Sequence, residues 1–140
     1  MTLEEKQLLR KDLCARLPYG VIVKENDGVM ENDNKLLDID MFDGCINYDY
    51  IIEDIKPYLR PMSSMTEEEK KELKSATCPE GTGYFDEQYL ICPMSHFGEH
   101  ISYDFMSDIL NWLNAHHFDY RGLIERGLAL EAPDGMYKTE

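Results

Sequence analysis

An amphipathic helix near the C-terminus constrains the fold of this chain more than any other feature. Between residues 101 and 116, apolar and aromatic residues recur at i, i+4, i+8, i+11, i+12 and i+15, the spacing of one face of an α-helix. Trp112 lies well inside this stripe, so we expect it to be a core anchor. Tyr103, Met106 and Leu110 widen the stripe. The helix, predicted over 102–117, should therefore be buried on more than one side.

The predicted helix runs into a polar corner at residues 112–121. Histidine near a helix C-terminus interacts favourably with the helix dipole, so the corner is interpreted first as the end of the helix. The alternatives are a binding surface and an acid–base pair between His116 or His117 and Asp119. No serine, cysteine or threonine lies in this stretch to act as a nucleophile. A further helical turn is predicted over 119–126, with Gly127 placed to cap it.

Two capping motifs predict two further helices. Thr2 is followed three residues later by Glu5, and leucines recur on one face of the residues behind them, which indicates a helix over 2–17. Thr66 and Glu69 form the same motif and predict a helix that ends near Ala76. The simplest role for both helices is packing.

Short β-branched and alternating segments predict a small sheet. Strands are predicted at residues 21–23, 37–41, 46–52 and 84–91. In the second strand, Leu37, Ile39 and Met41 should share one face and the intervening aspartates the other. Pro57 and Pro61 indicate an irregular connector between them. The sequence predicts one α+β domain over 1–140: a small antiparallel meander packed by N-terminal and C-terminal helices.

The net charge of −14 is the outlying feature of the composition. Such a chain should be repelled by nucleic acids and by anionic membrane surfaces, and it favours a cationic partner. Residues 25–54 contain ten carboxylates and one cation, Lys35. We expect an acidic face there, with Asp33, Asp38 and Asp40 as interaction residues. Solubility alone is the simpler explanation of the charge.

The N-terminus lacks the apolar core of a signal peptide, and no apolar run reaches the length of a membrane span. The sequence therefore predicts a cytoplasmic protein with reduced thiols and no membrane partner.

Two sets of residues have the chemistry of metal ligands but lack the usual spacing. The first contains Cys78, Cys92, His96 and His100, which have zinc-ligand chemistry without a close Cys-x2–4-Cys pair. The second contains Asp38, Asp40, Asp43 and Gly44, in which the third acid comes one position too late for a calcium loop. We expect neither metal nor cofactor, and no stoichiometric zinc.

Three stretches carry a resemblance to a known family. They are residues 13–21 (LCARLPYGV), 56–69 (KPYLRPMSSMTEEE) and 112–124 (WLNAHHFDYRGLI) with the tail 127–133 (GLALEAP). Together they resemble a family of short uncharacterised proteins from gut anaerobic bacteria, many of them encoded on phage or prophage elements. The resemblance implies a mobile-element setting and assigns no active site.

The function expected from these observations is a non-enzymatic, acidic protein–protein interaction module. Its candidate interaction residues are Asp33, Asp38, Asp40, Trp112, His116, His117, Asp119, Tyr120 and Arg121. The alternative is a small metal-binding protein or hydrolase-type enzyme that uses the C-terminal histidines.

Overall fold

The computed structural model describes residues 1–26, 28–39, 45–46, 50–77, 84–85, 90–91 and 103–137. Within these residues, helices lie at α1 (Leu3–Arg16), α2 (Glu67–Thr77) and α3 (Tyr103–Ala115). Both predicted capping boxes are confirmed. The hydroxyl of Thr2 accepts from the backbone N–H of Glu5, whose carboxylate accepts from the N–H of Thr2, and Thr66 and Glu69 repeat the arrangement.

The described strands form a mixed but mainly antiparallel sheet and two small hairpins. The strands are β1 (Ile22–Asn26), β2 (Glu31–Lys35), β3 (Cys45–Ile46), β4 (Tyr50–Ile51), β5 (Ile55–Leu59), β6 (Tyr84–Phe85), β7 (Leu90–Ile91) and β8 (Leu130–Glu131). The main sheet has the order β2-β1-β5-β8, in which only the β5–β8 pair is parallel. The predicted α+β class is therefore confirmed, and the sequence had not indicated the parallel fourth strand.

Two predicted strands are in fact hairpins. The prediction over 46–52 was wrong because β3 and β4 pair antiparallel, with Ile46 opposite Tyr50. The prediction over 84–91 was wrong for the same reason, since Tyr84 of β6 lies opposite Ile91 of β7. In the second case, three polar residues, 86–88, follow the first apolar pair in the sequence, a pattern that also suits a chain reversal.

The strand predicted at 37–41 is not formed at Leu37 and Asp38, and Ile39 makes only an isolated antiparallel bridge to Ile46. Leu37 is 60% exposed, whereas its neighbour Leu36 is 4% exposed and belongs to the core. The strand that follows β1 is instead β2, an edge strand whose five residues are all polar. An edge strand with polar residues on both faces gives no period-two hydrophobic signal. Asp40 and Met41 lie outside the described residues.

The segment predicted as an irregular connector is β5, which lies inside the sheet between β1 and β8. Pro57 suggested a break in regular structure, yet it lies in the strand opposite Val23. A proline is tolerated in a strand where its missing N–H is not required for pairing. The β8 pairing begins only at Tyr58, so Pro57 lies just before the part of β5 that β8 covers.

The described core consists of two apolar clusters. In the first, Leu9 and Leu13 of α1 pack with residues of the sheet such as Val23 and Leu59. The second joins α2 to α3 and contains the following residues: Met65, Leu73, Ile109, Trp112, Leu113 and Phe118. Trp112 is 9% exposed, which confirms its predicted place in the core.

Candidate functional site

The predicted corner lies at the end of α3. This helix ends at Ala115, two residues before its predicted end. The N–H of His117 donates to the carbonyl of Asn114, and the N–H of Phe118 donates to that of Leu113. These two bonds form a Schellman motif, which requires a left-handed residue at the position of His117. His117 has φ +63°, so it occupies a position that usually belongs to glycine. The motif turns the chain sharply and places residues 117–119 beside β5.

His117 is held inside the corner. Its side chain is 7% exposed, and its ring stacks on that of Tyr137 with a centroid distance of 3.7 Å. Burial, together with the nearby charges of Arg16, His116 and Arg60, lowers the pKa of His117 to about 4. The imidazole is therefore neutral at pH 7. Its Nδ1 is buried and has no hydrogen-bond partner among the residues that the structure describes.

His116 points into a different environment. Its ring stacks on Trp112 at a centroid distance of 3.9 Å, and its Nδ1 lies 2.9 Å from the carbonyl oxygen of Trp112. Its Nε2 lies 3.6 Å from a carboxylate oxygen of Glu72 in α2. The two adjacent histidines thus have separate partners, and these contacts do not bring them together at one reacting centre.

Asp119 has a structural role in the described contacts. It is buried, and its two carboxylate oxygens accept from the backbone N–H groups of Leu123 and Ile124. These two bonds reach the residues four and five positions ahead, so they close a loop and do not cap a helix, whose N-cap accepts from the residues two or three positions ahead. The helical turn predicted over 119–126 was wrong, because Gly122 interrupts it with φ +73°. A shorter turn begins at Leu123, and Gly127, also at φ +73°, ends it. The hypothetical acid–base pair with a histidine finds no support in these hydrogen bonds.

Beneath the corner lies a buried ionic network that the sequence analysis missed. The Nε of Arg16 donates to Asp12 at 2.8 Å, and the Nη2 of Arg16 donates to the carbonyl oxygen of Phe118 at 2.6 Å. Both side chains of this pair are 0% exposed. Arg121 donates to the second oxygen of Asp12 at 3.1 Å and to the hydroxyl of Tyr120 at 3.2 Å. One carboxylate therefore holds two guanidinium groups and ties α1 to the corner.

The signal for this network was present in the sequence. Leu9, Asp12, Leu13 and Arg16 have the spacing i, i+3, i+4 and i+7, which places all four on one face of α1. That face is the buried one. Two residues of opposite charge within an apolar stripe can therefore indicate a buried ion pair, and not only the solvent-exposed border of the helix face.

Arg60 connects β5 to the corner and to α2. Its backbone N–H donates to the carbonyl of His117, and its carbonyl accepts from the N–H of Asp119. Its guanidinium lies 4.2 Å from the centroid of the Phe118 ring and binds Glu69 through two hydrogen bonds of 2.6 and 2.7 Å. The bonds to Arg60 hold the pKa of Glu69 down at about 2, so the carboxylate of Glu69 is charged at neutral pH.

An open cleft of about 510 Å³ lies at the C-terminal ends of the parallel strands β5 and β8. The chain that follows β5 forms one side, and the chain that follows β8 forms the other. Its polar lining includes Arg60, Ser64, Thr66, Glu131, Asp134 and Tyr137. The hydroxyl of Tyr137 donates to the carbonyl of Tyr58 at 2.7 Å and accepts from the N–H of Ile22 at 2.8 Å, which fixes the ring against the sheet.

The structure distributes the carboxylates of residues 25–54 over different environments. Glu25 is buried and accepts from Asn34, whereas Asp33 lies in β2 opposite Lys24 and accepts from the hydroxyl of Tyr58. Asp38 is exposed. Lys24 of β1 therefore borders the acidic strand β2, although it lies outside residues 25–54.

The corner residues proposed for interaction differ in their exposure. Trp112, His117 and Asp119 are buried, whereas His116, Tyr120 and Arg121 are partly exposed. The proposed residue Asp40 and both sets with metal-ligand chemistry lie wholly or partly outside the described residues. In the part of the chain that the structure describes, no group of three or more His, Cys, Asp or Glu side chains is arranged to hold a metal ion. No helix among the same residues is long and apolar enough to span a bilayer.

Comparisons of the chain with protein-family models, with curated proteins and with solved structures found no match.

Proposed function

We propose that this protein is a non-enzymatic interaction module that binds a cationic protein partner through its acidic surface. The observation that carries this proposal is the excess of exposed carboxylates. Among the residues whose side chains the structure describes, twelve carboxylate side chains and five cationic ones are exposed. The exposed carboxylates are those of Glu4, Glu31, Asp33, Asp38, Glu53, Glu67, Glu68, Glu72, Asp108, Glu125, Glu131 and Asp134. A surface of this kind attracts cationic partners and accelerates their association.

The carboxylates of the corner support the same proposal by exclusion, because they are already bonded within the fold. Asp12, Glu69 and Asp119 have their carboxylate oxygens in hydrogen bonds to arginines or to backbone N–H groups. These contacts stabilise the fold, so the three carboxylates are occupied by groups of the protein itself and are not available to a partner. Recognition therefore falls to the exposed carboxylates, including Asp33 and Asp38. A phage or prophage setting belongs to this proposal and rests on the resemblance of the three sequence segments.

The test compares two triple variants that change the net charge equally. Asp33→Asn, Asp38→Asn and Asp40→Asn neutralise the proposed acidic face, and the amide introduced by Asp33→Asn retains a carbonyl that can accept from Tyr58. Glu4→Gln, Asp108→Asn and Glu125→Gln neutralise carboxylates elsewhere. A partner is first isolated from the native host with the wild-type protein and identified by mass spectrometry. Association of the purified partner is then measured by stopped-flow at several salt concentrations.

We expect the first triple variant to associate more slowly than the second, with the difference fading as salt screens the charges. Both variants should be at least as stable as wild type, because like charges that repel one another do not stabilise a fold. Equal association rates for the two variants at low salt would show that residues 33–40 serve only solubility. An isolated partner that is itself acidic would overturn the proposal as a whole.

A further inference from the structure

The cleft between the ends of β5 and β8 has an acidic character that its one arginine does not offset. Both Nη atoms of Arg60 are bonded to Glu69, so its charge is already neutralised by a carboxylate. Of the other residues that line the cleft, Glu131 and Asp134 are charged, and both are exposed. Ser64 donates its hydroxyl hydrogen to the carbonyl of Pro61, which leaves its oxygen available as an acceptor. The lining thus offers acceptors and negative charge.

One wall of the cleft is a fixed aromatic ring. Tyr137 is bonded through its hydroxyl to the backbone of β1 and β5, and its ring stacks on His117. Because His117 is neutral at pH 7, the ring has no imidazolium behind it that would repel a cation. Aromatic rings attract ammonium and guanidinium groups within about 6 Å of their centroid. A fixed ring that lines the same cleft as two carboxylates therefore makes a suitable environment for an organic cation.

We propose that this cleft binds a cationic side chain, lysine or arginine, of the protein partner. The ammonium or guanidinium group would lie between Glu131 and Asp134, with its aliphatic stem along Tyr137. A volume of about 510 Å³ lies within the usual range of ligand pockets and exceeds what one side chain requires. The residues on either side of that side chain would therefore enter the cleft as well. This inference rests on the proposed function for the source of the cation.

The experiment uses the full chain and blocked tripeptides with lysine, arginine or glutamine between two glycines. Butylammonium serves as a probe for a free amine. Binding is followed by ¹H–¹⁵N NMR, with attention to the amides of residues 64–66 and 131–137. We expect the two cationic peptides to shift these signals with dissociation constants on the order of 1 mM, and the glutamine peptide to bind at least several-fold more weakly. If butylammonium binds as tightly as the lysine peptide, the cleft recognises a free amine and the assignment to a partner side chain is wrong.

Charge variants locate the site. Glu131→Gln with Asp134→Asn should weaken binding of the lysine peptide about fivefold, which corresponds to two exposed ion pairs of modest strength. Glu125→Gln with Asp108→Asn makes the same change of charge away from the cleft lining and should weaken it less than about twofold. Equal effects of the two pairs, signal shifts centred elsewhere, or no binding at 20 mM peptide, roughly twenty times the expected constant, would each overturn the inference.

The outcomes also separate this inference from the proposed function. Capture of a cationic partner with no peptide binding in the cleft would refute the cleft alone. Peptide binding in the cleft together with an acidic partner would refute the proposed function alone.

Discussion

Asp12 provides the sharpest test of the corner, because its single carboxylate neutralises two guanidinium groups. The Asp12→Asn variant keeps the shape of the side chain and one carbonyl acceptor but removes the charge. It also directs an NH₂ group toward a guanidinium N–H, where donor faces donor. Arg16 is 0% exposed and would remain as an uncompensated buried charge. Removal of one partner of a buried ion pair costs about 3–5 kcal/mol, and we expect a loss in this range.

Urea denaturation measures this loss, and the only tryptophan, Trp112, reports it by fluorescence from the core next to the network. Circular dichroism followed in the same samples would show whether the transition remains two-state. Asp108→Asn is the matched control, because Asp108 is exposed and a surface substitution should change stability by no more than about 0.5 kcal/mol. A loss below about 1 kcal/mol for Asp12→Asn would refute the buried network.

A double-mutant cycle separates the ion pair from general damage to the helix. Arg16→Met should cost less in the Asp12→Asn background than in wild type, because the buried charge that lacks a partner is then removed as well. We expect a coupling energy of about 1.5 kcal/mol or more. Purely additive effects would show that Asp12 and Arg16 do not interact in the folded protein.

The remaining predictions concern Trp112, His117 and the acidic surface. Trp112→Ala should cost about 3–5 kcal/mol in urea denaturation, because it empties the centre of the cluster between α2 and α3. The folded-state pKa of His117 is about 4 and its ordinary value is 6.5, so the unfolded chain binds the proton more readily and stability falls as the pH drops through this interval. The loss should reach roughly 3 kcal/mol at pH 4, and His117→Asn should abolish this slope, whereas the Glu69 contribution is lost only as the pH falls from 4.5 to about 2. A gel-shift assay at low salt should detect no DNA binding, and tight, salt-sensitive binding would refute the charge argument.

Local signals allowed the helices to be predicted well. A capping box joins residues only three positions apart, so Thr2 with Glu5 and Thr66 with Glu69 could be recognised without knowledge of the fold. The stripe around Trp112 has the period of a helix over four turns, which few other structures share.

The sheet could be predicted only in outline, because its pairing depends on residues far apart in the chain. The parallel contact between β5 and β8 joins Tyr58 to Leu130, and no local pattern encodes that choice. Proline is unfavourable in most strands. Pro57 is acceptable because it lies opposite Val23 and just before Tyr58, where the pairing of β5 with β8 begins. The polar strand β2 is held by pairing with β1 and by polar side-chain contacts such as that of Asp33 with Tyr58, and neither produces a hydrophobic pattern in the sequence.

The sequence predicted where along the chain the corner lies, but not which residues its side chains and backbone contact. The residues at 112–121 do form a corner, yet its central interactions come from elsewhere in the sequence. Arg16 reaches the carbonyl of Phe118 across 102 residues, and Tyr137 reaches Ile22 across 115 residues. Such contacts depend on the relative placement of α1, β1 and the C-terminal segment. Periodicity within one element carries no information about them.

The choice of residue at the end of α3 follows from these long-range contacts. A residue other than glycine costs about 1–2 kcal/mol in the left-handed conformation that His117 adopts, and glycine is the usual residue there. Strain of this kind persists only where the surrounding structure holds it in place. The imidazole supplies that reason, since it fills the space behind Tyr137 and stacks on its ring at 3.7 Å. Glycine would relieve the backbone but leave the Tyr137 ring unsupported, so the same side chain that strains the end of the helix holds the wall of the cleft in place.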